Sequence, residues 1–389
     1  MSIYLNNAAT TWPKPPEVSR AMSEFLTFGG ANASRGTSSQ RDMNTMNMIL
    51  DCRIRLAELF SGYDDSNPML VTFCLNITHA INIILQGFCK PGMNIITTSM
   101  EHNAVMRPLR SLESEGVNVK VLRCDSYGRL NPHVLREELP QSRYDLMIMS
   151  HASNVCGTIQ PLEDIAEICG KFSVPLVLDT AQTAGIIGIN ASGLGLSALC
   201  FTGHKGLMGP QGIGGIVWNP EFAQRVRPLI TGGTGSFSHL EYQPEDMPDK
   251  FEAGTQNLPG IAGLNEALQW ISDTGMKEIA SRGQETGIYL LEHLKGMKNI
   301  TLYGLDGMTG RLPVFSLNAH STDNGTLALE LSDTGFETRP GLHCAPSAHK
   351  TLCTFPEGTL RVSPGYFNTR SEIDEFVLSL RRITEGGTA

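Results

Sequence analysis

Long apolar runs are absent from this sequence of 389 residues. No stretch approaches the roughly 18 apolar residues that a transmembrane helix needs, so we expect no membrane contact. The first seven residues contain neither a basic segment nor an apolar one, and we expect no signal peptide. Internal repeats and low-complexity tracts are absent as well. These absences, with a hydrophobic content of 41%, predict an ordinary soluble globular protein.

Positive charge and paired cysteines are also scarce. The chain has 30 Lys and Arg residues against 39 Asp and Glu residues, and the net charge of −9 argues against nucleic acid as the main partner. Its nine cysteines are scattered, odd in number and free of any Cys-x-x-Cys pair. We therefore expect no disulfide framework, no metal site and a reducing, cytoplasmic location.

What the sequence does contain is an alternation of short apolar runs with helix-like segments. This alternation predicts an α/β fold with a largely parallel sheet, in which ligands bind at the carboxyl ends of the strands. The runs expected to form strands cover residues 70–73, 94–98, 119–122, 145–150, 174–179, 199–202 and 215–218.

The length of the chain predicts two lobes, because a single compact core rarely reaches this size. We assign residues 16–257 to a large lobe. A smaller C-terminal α/β lobe takes in residues 258–389 together with the N-terminal segment 1–15. Residues 219–258 break the alternation and predict a long loop. A continuous helical pattern over residues 261–279 follows it.

Lys205 and Asp179 are the most informative pair in the sequence. Each follows or ends a predicted strand, and the two strands are neighbours in the chain. Pyridoxal phosphate (PLP) chemistry requires this pair, a lysine that holds the aldehyde as a Schiff base and a carboxylate beside the pyridine nitrogen. The alternative, a solvated surface lysine, does not explain the apolar run and glycines around Lys205.

Other polar residues supply the remaining contacts that PLP needs. Asn76, Ile77 and Thr78 open a helix after a strand, where backbone N–H groups suit a phosphate, although Thr78 could equally be a plain helix cap. Thr202 and His204 are further phosphate donors, and Gln182 can reach the ring hydroxyl. His102 is the candidate for stacking on the ring and for proton transfer near working pH. A loop histidine with no such role is the alternative.

The C-terminal lobe adds candidates for substrate chemistry. Arg361 could clamp an α-carboxylate through its forked guanidinium, or be an ordinary surface arginine. Cys344 lies beside His343 in a loop flanked by Gly and Pro, unlike the other cysteines, most of which lie in apolar runs. Near cationic groups, such a cysteine can act as a thiolate nucleophile. An inert loop cysteine is the alternative.

Together these segments resemble the class V, fold-type I PLP enzymes, and among them the cysteine desulfurase and selenocysteine lyase family. The resemblance runs over nearly the whole chain. The short loop between Arg339 and Cys344 is similar to that of the group II branch, in which the cysteine loop is ordered. The motifs that carry the resemblance are Glu101-His102, Ser153-Asn154-Val155-x-Gly157, Asp179-x-Ala-Gln182, Thr202-Gly-His-Lys205, Phe251-Glu-Ala-Gly-Thr255 and Arg339-x-Gly-x-His-Cys344.

The resemblance implies a fold with a mostly parallel seven-stranded sheet in the large lobe, and a role for each motif residue. It implies that L-cysteine becomes L-alanine while its sulfur passes to Cys344 as a persulfide and then to a protein acceptor. It also implies a homodimer, in which Thr255 completes the phosphate site of the other subunit. Residues expected at the substrate are Ala8, Arg35, Asn154, Arg339 and Arg361.

Some positions depart from the family pattern. Ser34 stands where relatives usually have histidine, the segment from Asn76 replaces a more usual Gly-Thr-Thr-Glu, and the residues after Cys344 differ. The sequence leaves selenocysteine lyase, another class V reaction such as transamination or epimerisation, and a non-catalytic scaffold open as alternatives.

Overall fold

The computed structural model describes residues 2–32 and 39–385. Ser34 and Arg35 lie outside the described residues. The large sheet has seven strands, and their order across the sheet is β2 (Val71–Cys74), β8 (Gly214–Trp218), β7 (Ala198–Thr202), β6 (Leu176–Asp179), β5 (Leu146–Ser150), β3 (Asn94–Thr98) and β4 (Asn118–Leu122). All neighbouring pairs are parallel except the two that involve β8. The predicted α/β fold with a mostly parallel seven-stranded sheet is confirmed.

Each strand of the large sheet begins and ends within two residues of the run predicted for it. The remaining strands are β1 (Ile3–Tyr4), β9 (Ile300–Tyr303), β10 (Phe315–Ala319), β11 (Phe336–Glu337), β12 (Arg339–Gly341) and β13 (Thr359–Val362).

The α-helices lie on both sides of the large sheet and around a smaller one. They are α1 (Pro16–Glu24), α2 (Gln40–Leu59), α3 (Tyr63–Ser66), α4 (Ile77–Phe88), α5 (Asn103–Ser114), α6 (Pro132–Glu138), α7 (Leu162–Lys171), α8 (Pro220–Arg225), α9 (Leu258–Thr274), α10 (Met276–Lys295), α11 (Asn324–Asp333), α12 (Pro346–Thr351) and α13 (Arg370–Glu385). Short 3₁₀ turns cover Pro68–Leu70, Leu139–Gln141 and Asp249–Phe251, and a π-helical turn covers Phe25–Gly29.

Both faces of the large sheet are buried at its central strands, which is why β5, β6 and β7 are almost continuously apolar. In β7, Leu199 and Phe201 join the core that includes helices α2, α6, α7 and α9. Ala198 and Cys200, which alternate with them, join the core that includes α4, α5 and α8. Successive side chains of a strand point to opposite faces, so a sheet covered by helices on both sides needs apolar residues at every position.

The predicted helix over residues 261–279 is wrong as a single element. It is two helices, α9 and α10, which meet at Gly275. Gly275 has φ +86°, a left-handed conformation that glycine adopts without steric cost and that ends a helix. The predicted loop is present between α8 and the turn at Asp249, where residues 226–248 form neither helix nor strand.

The smaller sheet has four antiparallel strands in the order β12-β13-β10-β9, and β1 pairs with β11 beside it. Helices α10, α11 and α13 cover its apolar residues. Helix α9 contributes instead to the core of the large sheet. The lobe boundary between residues 257 and 258 stays a prediction. No helix in the described part of the chain is long and apolar enough to cross a membrane.

Candidate active site

Lys205 and Asp179 meet because their strands are parallel neighbours. Asp179 ends β6 and is paired with Cys200 of β7, and Lys205 follows three residues after β7 ends. Burial lowers the pKa of Lys205 to about 8, although the charge of Asp179 opposes this. Burial also raises the pKa of Asp179. Lys205 is half-buried and lines a cavity of about 210 Å³ together with Gln182 and Ala8, which argues against the surface-lysine alternative.

Two donors beside Lys205 have no partner among the described residues. The Oγ1 atom of Thr202 and the Nδ1 atom of His204 are both buried and make no hydrogen bond. Burial, and then the charge of Lys205, lowers the pKa of His204 to about 4, so its imidazole is neutral. Buried polar groups are normally paired, so two unpaired groups on residues two apart in the chain suit a site for an oxyanion.

The start of α4 lies close to these donors. Thr202 is paired with Gly214 of β8, and a Cβ atom on Gly214 would stand 2.9 Å from the Cα atom of Asn76. Only a glycine allows this approach. The helix start, with the unpaired N–H groups of its first turn, therefore lies next to Thr202.

Asn76, and not Thr78, caps this helix. The Asn76 side chain accepts a hydrogen bond from the N–H of His79 at 3.0 Å. Thr78 is exposed in the first turn and Ile77 is buried. The alternative in which Thr78 is the cap is therefore wrong, and the Thr78 hydroxyl is left for other contacts.

His102 caps α5 at the end of the segment that follows β3. Its Nδ1 atom accepts a hydrogen bond from the N–H of Ala104 at 3.0 Å, so the neutral ring carries its proton on Nε2. Burial, followed by the charges of Lys205 and Arg339, lowers the pKa of His102 to about 4. The expectation of a pKa near working pH is wrong for the protein alone.

Glu101 fixes the turn that presents His102. The carboxylate is completely buried and accepts hydrogen bonds from the hydroxyl of Thr98 and from both the N–H and the hydroxyl of Ser150, the latter two at 2.8 Å. Burial raises its pKa to about 7. From the sequence, Glu101 could be recognised only as part of a motif, because its partners lie on two strands.

Arg361 lies inside the molecule, so the surface-arginine alternative is wrong. Its side chain is 1% exposed, and burial lowers its pKa to about 9. One Nη atom donates to the carbonyl of Asn154 at 3.0 Å and the other to the Oδ1 atom of Asn6 at 2.8 Å. The Nε atom is buried and unpaired within the described residues. Asn154 donates in turn to the carbonyl of His343 at 2.7 Å.

The Cys344 loop reaches from the small sheet to the cap of α5. The carbonyl of Cys344 accepts a hydrogen bond from the N–H of Asn103 at 2.8 Å, which places the loop directly beside His102. The Sγ atom lies 3.8 Å from Nη2 of Arg339. Of the described cysteines, Cys344 and Cys353 are the exposed ones. Cys344 thus combines access to solvent, a nearby cation and a position at the site.

Two predicted residues have different surroundings. Ala8 is buried, its N–H donates to the hydroxyl of Ser363 at 3.0 Å, and it lies at the Lys205 cavity. Thr255 is exposed and lines a separate pocket next to β2. The loop of Thr255 is held by Glu252, which accepts a hydrogen bond from the N–H of Phe73 and forms a buried ion pair with Arg53 at 2.6 Å.

Sequence reasoning missed the N-terminal segment that holds the Lys205 loop. The carbonyl of His204 accepts hydrogen bonds from the hydroxyl of Thr10 at 3.0 Å, the N–H of Thr11 at 3.1 Å and the ammonium of Lys14 at 2.7 Å. The hydroxyl of Thr11 also donates to the carbonyl of Lys205 at 3.0 Å. These contacts use main-chain acceptors, which leave no residue-type signal in the sequence.

The chain belongs to the class V aminotransferase family, whose model matches residues 3–376. The names of individual relatives are more specific than the name of the family. A probable cysteine desulfurase from Methanothermobacter thermautotrophicus is 30% identical over 393 residues, which cover 99% of this chain and 95% of the relative.

Solved structures agree with this relationship. A cysteine desulfurase from Thermococcus onnurineus, solved in its apo form, matches with a TM-score of 0.92 and 26% identity, over 99% of this chain and 95% of that one. The cysteine desulfurase CsdA of Escherichia coli, in an S-sulfonic acid form, matches with a TM-score of 0.85 and 25% identity, over the same shares of the two chains.

Proposed function

We propose that the protein is a PLP-dependent cysteine desulfurase that converts L-cysteine to L-alanine and takes up the sulfur on Cys344 as a persulfide. The observation that carries the proposal is the position of Cys344. Its backbone is bonded to the residue after His102, its Sγ atom is near Arg339, and its thiol is open to solvent. The names of the relatives support the same substrate.

The residues around Lys205 fit PLP. Lys205 would attach the cofactor, Asp179 would pair with its pyridine nitrogen and Gln182 with its phenolic oxygen. When bound, PLP withdraws electrons from the substrate Cα and so weakens the bonds around that carbon. The phosphate would be held by Thr202, by His204 and by the N–H groups that start α4 at Asn76, Ile77 and Thr78. The two unpaired buried donors support this assignment.

Lys205 and His102 handle protons in this proposal. Because the pKa of Lys205 is lowered to about 8, a fraction of its amine is neutral near pH 7 and can take the α-proton of the substrate. His102 would stack on the cofactor ring as a neutral imidazole that donates through Nε2. A neutral ring avoids placing another charge among Lys205, Arg339 and Arg361, the cations that lower its pKa.

Arg361 and Asn154 bind the substrate carboxylate. The buried Arg361 has an unpaired Nε atom, so one of its N–H groups is free to meet a carboxylate. Asn154 accepts a hydrogen bond from Arg361 and donates one to the carbonyl of His343. Hydrogen bonds therefore connect the carboxylate-binding residues to the Cys344 loop. Ala8 and Arg35 complete the substrate end in this proposal.

The sulfur step belongs to Cys344 and Arg339. The Cys344 thiolate attacks the substrate sulfur, a new S–S bond forms, and the C–S bond breaks with its electron pair left on the carbon side. The Cβ atom then takes up a proton and the Cα atom regains the proton that Lys205 removed, which gives alanine. The guanidinium of Arg339 keeps a positive charge beside the attacking sulfur. A protein acceptor then takes the sulfur from the exposed Cys344.

The assembly is proposed as a homodimer. Thr255 is exposed and lines a pocket apart from the cavity of its own Lys205, which suits a residue that completes the phosphate site of a second copy. The buried pair of Arg53 and Glu252 would hold that loop ready.

Mass spectrometry tests the persulfide directly. After incubation of the PLP-loaded protein with L-cysteine, we expect one added sulfur on Cys344. The control is Cys353→Ser, which removes the other exposed cysteine and should leave the added sulfur in place. If Cys344→Ser releases alanine from L-cysteine as fast as the wild type does, the proposal is wrong, and selenocysteine lyase or another class V reaction becomes the better account.

A further inference from the structure

Two buried histidines, His343 and His349, flank Cys344 in the chain, and the proposed reaction uses neither. His343 is 3% exposed and His349, on α12, is 0% exposed. Their ring centroids are 5.3 Å apart. The Nδ1 atom of His343 and the Nε2 atom of His349 are both buried and without a hydrogen-bond partner in the described structure. Unpaired buried nitrogens on two adjacent rings call for an explanation.

A chain of hydroxyl groups fixes which nitrogen of His343 carries the proton. Ser316 donates its hydroxyl proton to the carbonyl of Val155 at 2.7 Å. Thr359, 2.8 Å from the Ser316 hydroxyl, must then donate to it. The Thr359 oxygen is left as the acceptor for Nε2 of His343 at 3.1 Å. Neutral His343 therefore holds its proton on Nε2, and its Nδ1 atom is a bare acceptor.

His349 has the complementary arrangement. Its Nδ1 atom lies 2.7 Å from the hydroxyl of Thr354. That hydroxyl can donate either to this nitrogen or to the His349 carbonyl, which is farther away at 3.4 Å. Donation to the nearer nitrogen leaves the proton of neutral His349 on Nε2. One ring thus offers an unpaired donor, and the neighbouring ring offers an unpaired acceptor.

We propose that His349 is a positioning residue for Cys344. Its Nε2–H donates a hydrogen bond toward Nδ1 of His343, and the paired rings hold the Cys344 loop in its reactive shape. A small ring rotation or a single buried water spans the separation of the two rings. The inference rests on the proposed persulfide role of Cys344.

The shape of the loop explains why it needs this support. His343 has φ +48° and Cys344 has φ +57°, two consecutive non-glycine residues in the left-handed region. Such residues are strained and persist only where their surroundings over-determine them. The main chain is held by Asn154 at the carbonyl of His343 and by Asn103 at the carbonyl of Cys344. The imidazole of His343, which contacts the hydroxyl of Thr359, is the third point at which the loop is held, and the ring of His349 lies beside it.

The charges around the pair require it to stay neutral. Burial lowers the pKa of His343, and the cations Arg361 on β13 and Arg339 on β12 lower it further, as does His349 itself. Burial alone lowers the pKa of His349 to about 4. The only side chains paired with these two rings are the neutral hydroxyls of Thr359 and Thr354 within the described residues. A proton gained by either ring would therefore be an unpaired buried charge.

Two substitutions at His349 separate the proposed role from a merely structural one. The amide of His349→Gln can place an N–H near the original Nε2 atom, and that of His349→Asn can reach only the Nδ1 position. We expect His349→Asn to slow alanine release from L-cysteine, and alkylation of Cys344 by iodoacetamide, about tenfold, the effect of one lost bond to a buried group. We expect His349→Gln to restore both rates to within about threefold of the wild type.

A second substrate, β-chloro-L-alanine, separates an effect on Cys344 from an effect on the cofactor half of the site. Its chloride leaves without help from a thiol. Both variants should process it like the wild type, because the cofactor half of the site is untouched. Equal losses with both substrates would overturn the proposal, and so would an unchanged alkylation rate in His349→Asn. A wild type that forms no persulfide would instead refute the proposed function, while alkylation would still report on the loop.

Nitrogen NMR of the wild type provides a test that does not depend on how the variants fold. Between pH 8 and about 6 we expect both rings to be neutral and protonated on Nε2. A proton on Nδ1 of His343, or a cationic His349 at pH 7, would overturn the proposal.

Discussion

The two halves of the site are built in opposite ways. Lys205 and Asp179 follow strands of a sheet that is buried on both faces, and the Lys205 loop is held by several bonds from the N-terminal segment. Cys344 lies in an exposed loop with two left-handed residues and is held by a few anchors. The first half is largely buried and held by many hydrogen bonds, which suits a retained cofactor. The second is open, which suits a sulfur that must be passed on.

Lys205→Ala gives the largest effect and should break only the first half. We expect turnover of L-cysteine to fall by at least about 10³-fold, because both the cofactor attachment and the proposed base are lost. The absorbance of bound PLP should change, and no adduct should remain after borohydride reduction. The rate of Cys344 alkylation should equal that of the wild type. A parallel fall in alkylation would show that the halves are not separate.

Arg361→Lys tests the group that joins the two halves. Lysine keeps the charge but loses the fork that contacts Asn154 and Asn6. We expect kcat/KM for L-cysteine to fall by about 10 to 100-fold, mostly through KM, since the loss is in substrate binding. Steady-state kinetics give this split. A loss confined to kcat would contradict the assignment of Arg361 to the carboxylate.

Arg339→Gln should disturb mainly the second half. The positive charge 3.8 Å from the Cys344 sulfur is removed, so alkylation of Cys344 and alanine release should both slow by about threefold to tenfold. Turnover of β-chloro-L-alanine should change much less. If the two substrates are affected equally, Arg339 acts on the cofactor side instead.

Glu101→Gln gives the smallest effect on activity, and a defined effect on stability. The folded-state pKa of Glu101, about 7, lies above its ordinary value of 4.5. Its contribution is therefore fully present below pH 4.5 and is lost as the pH rises through 7. Relative to the wild type, Glu101→Gln should gain roughly 1–3 kcal/mol in the free energy of unfolding on going from pH 5 to pH 8.

Urea unfolding of the protein without PLP measures this difference. The control is Glu167→Gln, an exposed carboxylate on α7. A Glu101→Gln difference that does not change between pH 5 and pH 8 would contradict the raised pKa.

The sequence predicts the residues of the site that lie at strand ends, and it does not predict those that depend on contacts remote in sequence. Lys205, Asp179 and Thr202 could be placed because each lies at the end of a local apolar run, and parallel strands bring such ends together. The bonds of Thr10 and Lys14 could not, because they go to main-chain carbonyls remote in sequence. His349 could not either, because its importance lies in an unpaired nitrogen that only the packed structure reveals.

Fold predictions failed where one residue changed the geometry of an element. The helical pattern over 261–279 is continuous in hydrophobicity, and the left-handed conformation of Gly275 is what divides it. The start of α4 was ambiguous because Asn76 and Thr78 are both good capping residues, and only the contact to His79 decides between them.

The most direct test of the two-part site compares two substrates in Cys344→Ser. The variant keeps Lys205 and its surroundings and removes only the nucleophile. We predict that alanine release from L-cysteine falls at least about 100-fold, while turnover of β-chloro-L-alanine stays within about twofold of the wild type. Undiminished release of alanine from L-cysteine by this variant would contradict the account.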